Sequence, residues 1–126
     1  MADVKELYLQ GLSLYGQGKH AEAIDAFQQA LALDPERAEC LQALSMAQMH
    51  AGKLKDALES VLRLTEMTPS DPQAFTSLSM IYQRMDRIDD AEKAQAKARM
   101  LSWKEELKTN PNAPPPADPG GMNVVQ

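Results

Sequence analysis

Aromatic side chains make up only 5% of these 126 residues, and cysteine is scarcer still, with Cys40 standing alone. A single thiol excludes an intramolecular disulfide and agrees with a reducing compartment, so the cytoplasm is the expected setting and Cys40 reads as a small helix residue. Few aromatics beside abundant Ala, Leu, Met and Gln favour helices joined by short turns over a β-sandwich. Positive charge is not in excess either: thirteen Lys and Arg stand among eighteen Asp and Glu, a net charge of −5. The basic footprint of a nucleic-acid binder is missing. No apolar run approaches membrane-spanning length, and the opening MADVKELYLQ, acidic early and without an unbroken apolar core, does not read as a secretory signal. Nor is there a P-loop, a GxGxxG or a GxSxG motif.

What the sequence does have is an internal period. Sliding it against itself by thirty-four residues aligns Gly18 with Gly52, Ala23 with Ala57 and Ala91, and Pro35 with Pro69. Leu7, Leu41 and Phe75 coincide, as do Gly11, Ser45 and Ser79, Phe27 with Val61, and Leu33 with Met67 and Leu101. Three units result, at about 4–37, 38–71 and 72–105, within a domain predicted over 1–108. Each holds two apolar patterns of helical period around a short turn, QGKH, AGKL and MDRI in order, which predicts one helical hairpin per unit. The small residues at 11, 45 and 79 and the alanines at 23, 57 and 91 let the two backbones of a hairpin approach closely. Pro35 and Pro69 stop the second helices, since proline restricts its predecessor and has no N–H. Ser70 or Asp71 then caps the next helix, with Pro72 in its first turn.

These residues, GKHAEAIDAFQQALALDP at 18–35 above all, resemble the tetratricopeptide repeat family over roughly Leu7 to Leu101. The resemblance implies an all-α fold: a right-handed superhelical array of three helix-turn-helix hairpins, six helices with the last one extended. The third unit departs from the pattern, with Asp86 at the turn glycine, Gln95 at the large apolar residue of the second helix and Trp103 at the terminal proline. Three columns, Ile24, Leu58, Glu92, then Phe27, Val61, Gln95, then Leu31, Thr65, Arg99, all end on a polar member. Those are the positions a following repeat would cover, so the third unit reads as a capped end.

With no proline to stop it, the last helix is predicted from about Asp89 to near Lys108, roughly two turns longer than its predecessors. Met100, Trp103 and Leu107 lie at helical spacing along the extension, and either pack back over the last hairpin or contact another chain. From 109 to 126, TNPNAPPPADPGGMNVVQ gathers five of the eight prolines. That composition predicts a disordered tail, with a linear motif or a strap laid into a groove as the alternative.

Stacked hairpins curve so that their first helices line a concave face. Its columns are Tyr8, Gln42 and Thr76; Leu12, Met46 and Met80; Tyr15, Met49 and Gln83; and, toward the rim, Lys5, Glu39 and Gln73 with Gly16, His50 and Arg84. The stripe is apolar and methionine-rich, with tyrosine hydroxyls and glutamine amides to meet a peptide backbone. Methionine there either adapts to an apolar ligand or fills space between helices. His20, in an inter-helix turn, and His50, elsewhere in its unit, form no obvious pair, and no Cys or carboxylate spacing completes a zinc site. Neither a metal nor a cofactor is expected.

Members of the family that grip acidic chaperone tails use a clamp whose places fall on Tyr8, Leu12, Ala43, Gln73 and Ser77, and none supplies the required Lys, Arg or Asn. The groove is more similar to members that hold extended or helical apolar segments, such as the small chaperones of bacterial secretion systems. The expected function is a non-catalytic adaptor, scaffold or small chaperone that binds an apolar peptide or helix of a partner protein. The alternative is a homo-oligomeric scaffold assembled through Met100, Trp103 and Leu107 or through the tail end MNVVQ.

Overall fold

The computed structural model describes residues 3–116, and among them are six α-helices and no strand. They are α1 (Val4–Gly16), α2 (His20–Leu33), α3 (Ala38–His50), α4 (Leu54–Met67), α5 (Pro72–Arg84) and α6 (Ile88–Leu107). Val4, Ala38 and Pro72 open the three first helices at the spacing of the sequence period. The all-α reading and the long last helix are both found: α6 has 20 residues where α2 and α4 have 14.

Local chemistry sets the helix ends. Asp3 opens α1 with a capping box, its Oδ1 accepting from the Glu6 N–H at 2.8 Å while Glu6 Oε1 accepts from the Asp3 N–H at 3.2 Å. Asp71 caps α5 by accepting from the Gln73 N–H at 3.0 Å, with Pro72 at the first helical position where its missing N–H has no cost. The hairpin turns repeat one hydrogen-bond pattern. The N–H groups of Gly18, Gly52 and Asp86 donate to the carbonyls of Tyr15, Met49 and Gln83, each at 3.0 Å. The next N–H groups, on Lys19, Lys53 and Arg87, reach back to Leu14, Gln48 and Tyr82 at 2.8–2.9 Å. This is the Schellman closure, and it requires a left-handed residue at the first of each pair. Gly18 and Gly52 take φ of 79° and 80°, and Asp86 takes 62° in the same place without glycine's freedom.

The chain divides into two compact units, one ending at Pro69 and the other beginning at Ser70. In the first, α1–α4 pack as two hairpins, with α3 against both α2 and α4. Phe27, Leu41 and Val61 are fully buried there. Gly11 faces the ring of Phe27 so closely that a Cβ on it would lie 2.6 Å from Cδ1 and 2.9 Å from Cζ, and nearer still to Cε1. Two polar contacts tie these helices: Ser60 Oγ donates to Gln48 Oε1 at 2.7 Å across α3 and α4, and the Cys40 thiol points to the Phe27 carbonyl at 3.5 Å. Arg63 of α4 donates to the Pro35 carbonyl at 2.7 Å and ties the second hairpin to the end of the first.

The second unit is the α5/α6 hairpin with residues 108–116. Ser79 Oγ donates to the Ala91 carbonyl at 2.9 Å across the hairpin, and Ala91, Ala94 and Ala98 give α6 a small buried face. Glu92 and Arg99 are exposed and Gln95 is half-buried. A disordered tail from residue 109 does not describe the part up to 116. Ala113 is 5% exposed and its carbonyl accepts from Trp103 Nε1 at 2.9 Å. Residues 117–126, including MNVVQ, lie outside the described residues.

Candidate functional site

In the first unit, α1 and α3 carry the residues expected to line the concave face. Tyr8 is half-buried, its ring tilted against Phe27 with centroids 6.1 Å apart. Leu12 remains 37% exposed, a large apolar side chain with no polar reason to face water, and Met46 and Gln42 are half-buried on α3. Burial pushes the phenol of Tyr8 up, the nearby Glu39 and Cys40 adding to the effect and Arg37 opposing it; burial alone raises Tyr15. Both hydroxyls are therefore neutral near pH 7, able to donate as well as accept.

Met49 departs from the expected stripe. It is only 1% exposed, because α3 is covered by α2 on one side and α4 on the other, so this methionine fills the core and presents nothing to a ligand. Its counterpart Tyr15, on a helix at the end of the array, stays half-buried and joins a different group. His20, the first residue of α2, and His50, the last of α3, stack with centroids 5.5 Å apart and planes 22° from parallel. Tyr15 leans on both, at 5.5 Å from His20 and 5.6 Å from His50. The expectation that the two histidines form no pair is thus corrected: column arithmetic compares equivalent positions, whereas these residues meet because the start of one helix abuts the end of another. No cluster of three or more His, Cys, Asp or Glu able to hold a metal occurs among the described residues.

In the second unit the same columns fall on α5. Thr76 is half-buried, its hydroxyl bonded to the Pro72 carbonyl at 3.1 Å. Met80 is 39% exposed, and Gln83 and Arg84 are exposed beside it. Of the three residues on the α6 extension, Met100 is 40% exposed, Leu107 is half-buried, and Trp103 is engaged by the chain's own Ala113 carbonyl. No helix among the described residues is long and apolar enough to cross a membrane.

Comparison with known proteins accords with this geometry. The model of a family described as tetratricopeptide repeat matches residues 14–81. The photosystem I assembly protein Ycf3 of Synechococcus sp. (strain CC9605) is 27% identical over 114 residues, which is 82% of this chain and 65% of that protein. The chain thus spans just under two thirds of the length of this relative. Among solved structures, MamA superposes with a TM-score of 0.78 at 24% identity, covering 82% of this chain and 61% of that one. PcrH in complex with the chaperone-binding region of PopB superposes with a TM-score of 0.75 at 25% identity, covering 79% of this chain and 80% of that one. The first of these likenesses shows the hairpin-array fold; the second comes from a protein solved with a partner segment in place.

Proposed function

From the premise that this chain belongs to the tetratricopeptide repeat family, we propose that it is a non-catalytic protein-interaction module, an adaptor or small chaperone that holds an apolar segment of a partner. The observation that carries this reading is the open stripe on α1 and α3: Leu12 exposed and Met46 half-open, with Tyr8 and Tyr15 on the same face of α1 and Gln42 beside Met46 on α3. Apolar groups supply burial, while neutral phenols and an amide meet the backbone of an extended or helical ligand. In the second unit, Thr76, Met80, Gln83 and Arg84 hold the equivalent sequence positions on α5, and in the first His50 ends α3.

Similarity supports the reading. One relative is an assembly protein, and one structural neighbour is a chaperone bound to a region of its partner. Another neighbour, 19% identical, holds an acidic HSP90 peptide. This chain carries Tyr8, Leu12, Ala43, Gln73 and Ser77 where such a clamp would need cations and amides, so an apolar segment is the better match. The free, buried Cys40 fits a cytoplasmic setting. Self-assembly through the α6 extension is less favoured, because Trp103 is already engaged within the chain.

Affinity capture from native lysate with wild-type protein and with a Leu12→Glu/Met46→Glu variant tests the proposal. The variant, with its far-UV circular dichroism unchanged, should lose the captured partner, and capture by the wild type should persist at high salt because apolar burial is weakly screened. Undiminished capture by the folded variant overturns the assignment of this face.

A further inference from the structure

We propose that the ledge beside Trp103 is a recognition site for an extended proline-rich segment of another protein, occupied in this structure by the chain's own residues 113–116. The ledge exists because α6 overshoots the helices it repeats, and within the second unit it shares Thr76 with the face of α5 that carries the expected groove columns. Trp103, on that extension, is half-buried, and its indole N–H donates to the Ala113 carbonyl at 2.9 Å. Ala113 is the one buried residue of the described tail, and Pro114 and Pro116 then line a cleft of about 300 Å³ with Thr76, Arg99, Ser102 and Glu106.

Chemistry explains the choice of occupant. Each proline fixes its own φ and drives the residue before it toward an extended conformation, so Ala113–Pro116 is held near polyproline geometry before it binds and loses little freedom on docking. Three consecutive prolines have no N–H to donate, and a carbonyl along such a run seeks an external donor. An indole supplies that donor together with a flat apolar surface, which is how aromatic grooves read proline-rich ligands. The engagement within the chain is shallow. One neutral hydrogen bond, one buried methyl and a half-buried Pro116 hold it, and Pro114 and Pro115 stay exposed. The nine residues between Trp103 and Ala113 keep the segment at an effective concentration in the millimolar range, enough to fill the ledge yet low enough for a tighter external segment to displace it. Gln95 and Arg99 also line an adjoining cleft of about 360 Å³ with Gln83 and Ile88, so a longer segment finds further contacts on the same hairpin.

Trp103 is the sole tryptophan, so its indole resonance and emission report this ledge alone. The full-length chain is compared with a Pro114→Gly/Pro115→Gly/Pro116→Gly variant, each titrated with a synthetic peptide TNPNAPPPAD and with its proline-to-glycine counterpart. The variant should keep its helical circular dichroism, shift Trp103 emission to the red, and bind the proline peptide at least tenfold more tightly than wild type, in which the resident segment competes. The glycine peptide should bind neither protein. Adding Trp103→Phe to the variant should weaken the proline peptide about fivefold by calorimetry, the loss of one hydrogen bond. Failure of the variant to bind the peptide at several millimolar, or equal affinity for variant and wild type, overturns the proposal. So does a Trp103 signal that changes with the protein's own concentration in the absence of peptide, which would make a second copy the occupant.

Discussion

Replacing Gly11 with alanine sets two effects against each other, and the structure decides between them. Alanine in a helix interior gains about 1 kcal/mol over glycine by propensity. The added methyl, however, would sit 2.6 Å and 2.9 Å from two carbons of the Phe27 ring, against about 3.5–4.0 Å for a comfortable carbon contact. Relief requires a retreat of roughly 1 Å by a ring that is fully buried, in an interior that packs as densely as an organic crystal. Overpacking on this scale costs about 3 kcal/mol, the upper end of the usual range, because the obstacle is a rigid ring and not a flexible chain end. The net expectation is a loss of about 2 kcal/mol, seen in urea unfolding by far-UV circular dichroism as a midpoint lowered by about 1 M. Gly16→Ala is the internal control: a Cβ there meets nothing within 4 Å, so it should be neutral or slightly stabilising. A double-mutant cycle with Phe27→Leu should recover most of the Gly11→Ala loss. If Gly11→Ala is as stable as Gly16→Ala, the close approach of α1 to Phe27 does not constrain this position, and the reason given for small residues at 11, 45 and 79 fails.

Asp86 holds a left-handed turn position that glycine fills in the other two hairpins, so Asp86→Gly should raise thermal stability by about 0.5–1 kcal/mol, whereas Asp86→Ala should not. Cys40 should resist alkylation in the native state and react fully in urea. Burial pushes its thiol up to about 11, with Glu39 and Asp34 reinforcing the shift and Arg37 opposing it. Because the folded thiol ionises later than the unfolded one, its contribution to stability is complete below about pH 9 and is lost as pH rises to about 11. The stability gap between wild type and Cys40→Ala, measured by urea unfolding, should narrow across that interval.

The repeat made most of the scaffold legible. A thirty-four-residue period fixed where Val4, Ala38 and Pro72 begin their helices, why residues 18, 52 and 86 share one turn, and why Asp71 precedes Pro72. It was less informative about burial, because equivalent positions in an array are equivalent in conformation and not in surroundings. Tyr15, Met49 and Gln83 occupy one column yet are half-buried, buried and exposed. The internal helix α3 has neighbours on two sides, so a methionine that looks like groove lining by periodicity becomes core. The His20–His50 stack was hidden for a related reason: columns compare helices of the same kind, while this contact joins the start of a second helix to the end of a first. Composition misled at the tail. Proline content argued for disorder, but three prolines in a row also preorganise a segment, and one tryptophan at the end of an overlong helix provides a donor for it.

The segment that best fits the family pattern has a place in function only through what it leaves free. Ala23, Phe27 and Ala30 of that segment are fully buried, and the Pro35 carbonyl is taken by Arg63 of the following hairpin. Pro35 therefore does two things: it ends α2, and it leaves a carbonyl outside the helix where a side chain from the next repeat can grasp it. A scaffold held this way tolerates variation wherever its contacts do not reach. In the first unit those places are the open faces of α1 and α3, where Leu12 is exposed and Met46 half-buried while Phe27 and Ala23 are fully buried. Selectivity for a partner can then vary while the array keeps its form, which is the physical reason that similarity at 27% identity shows the fold of this chain more firmly than its ligand.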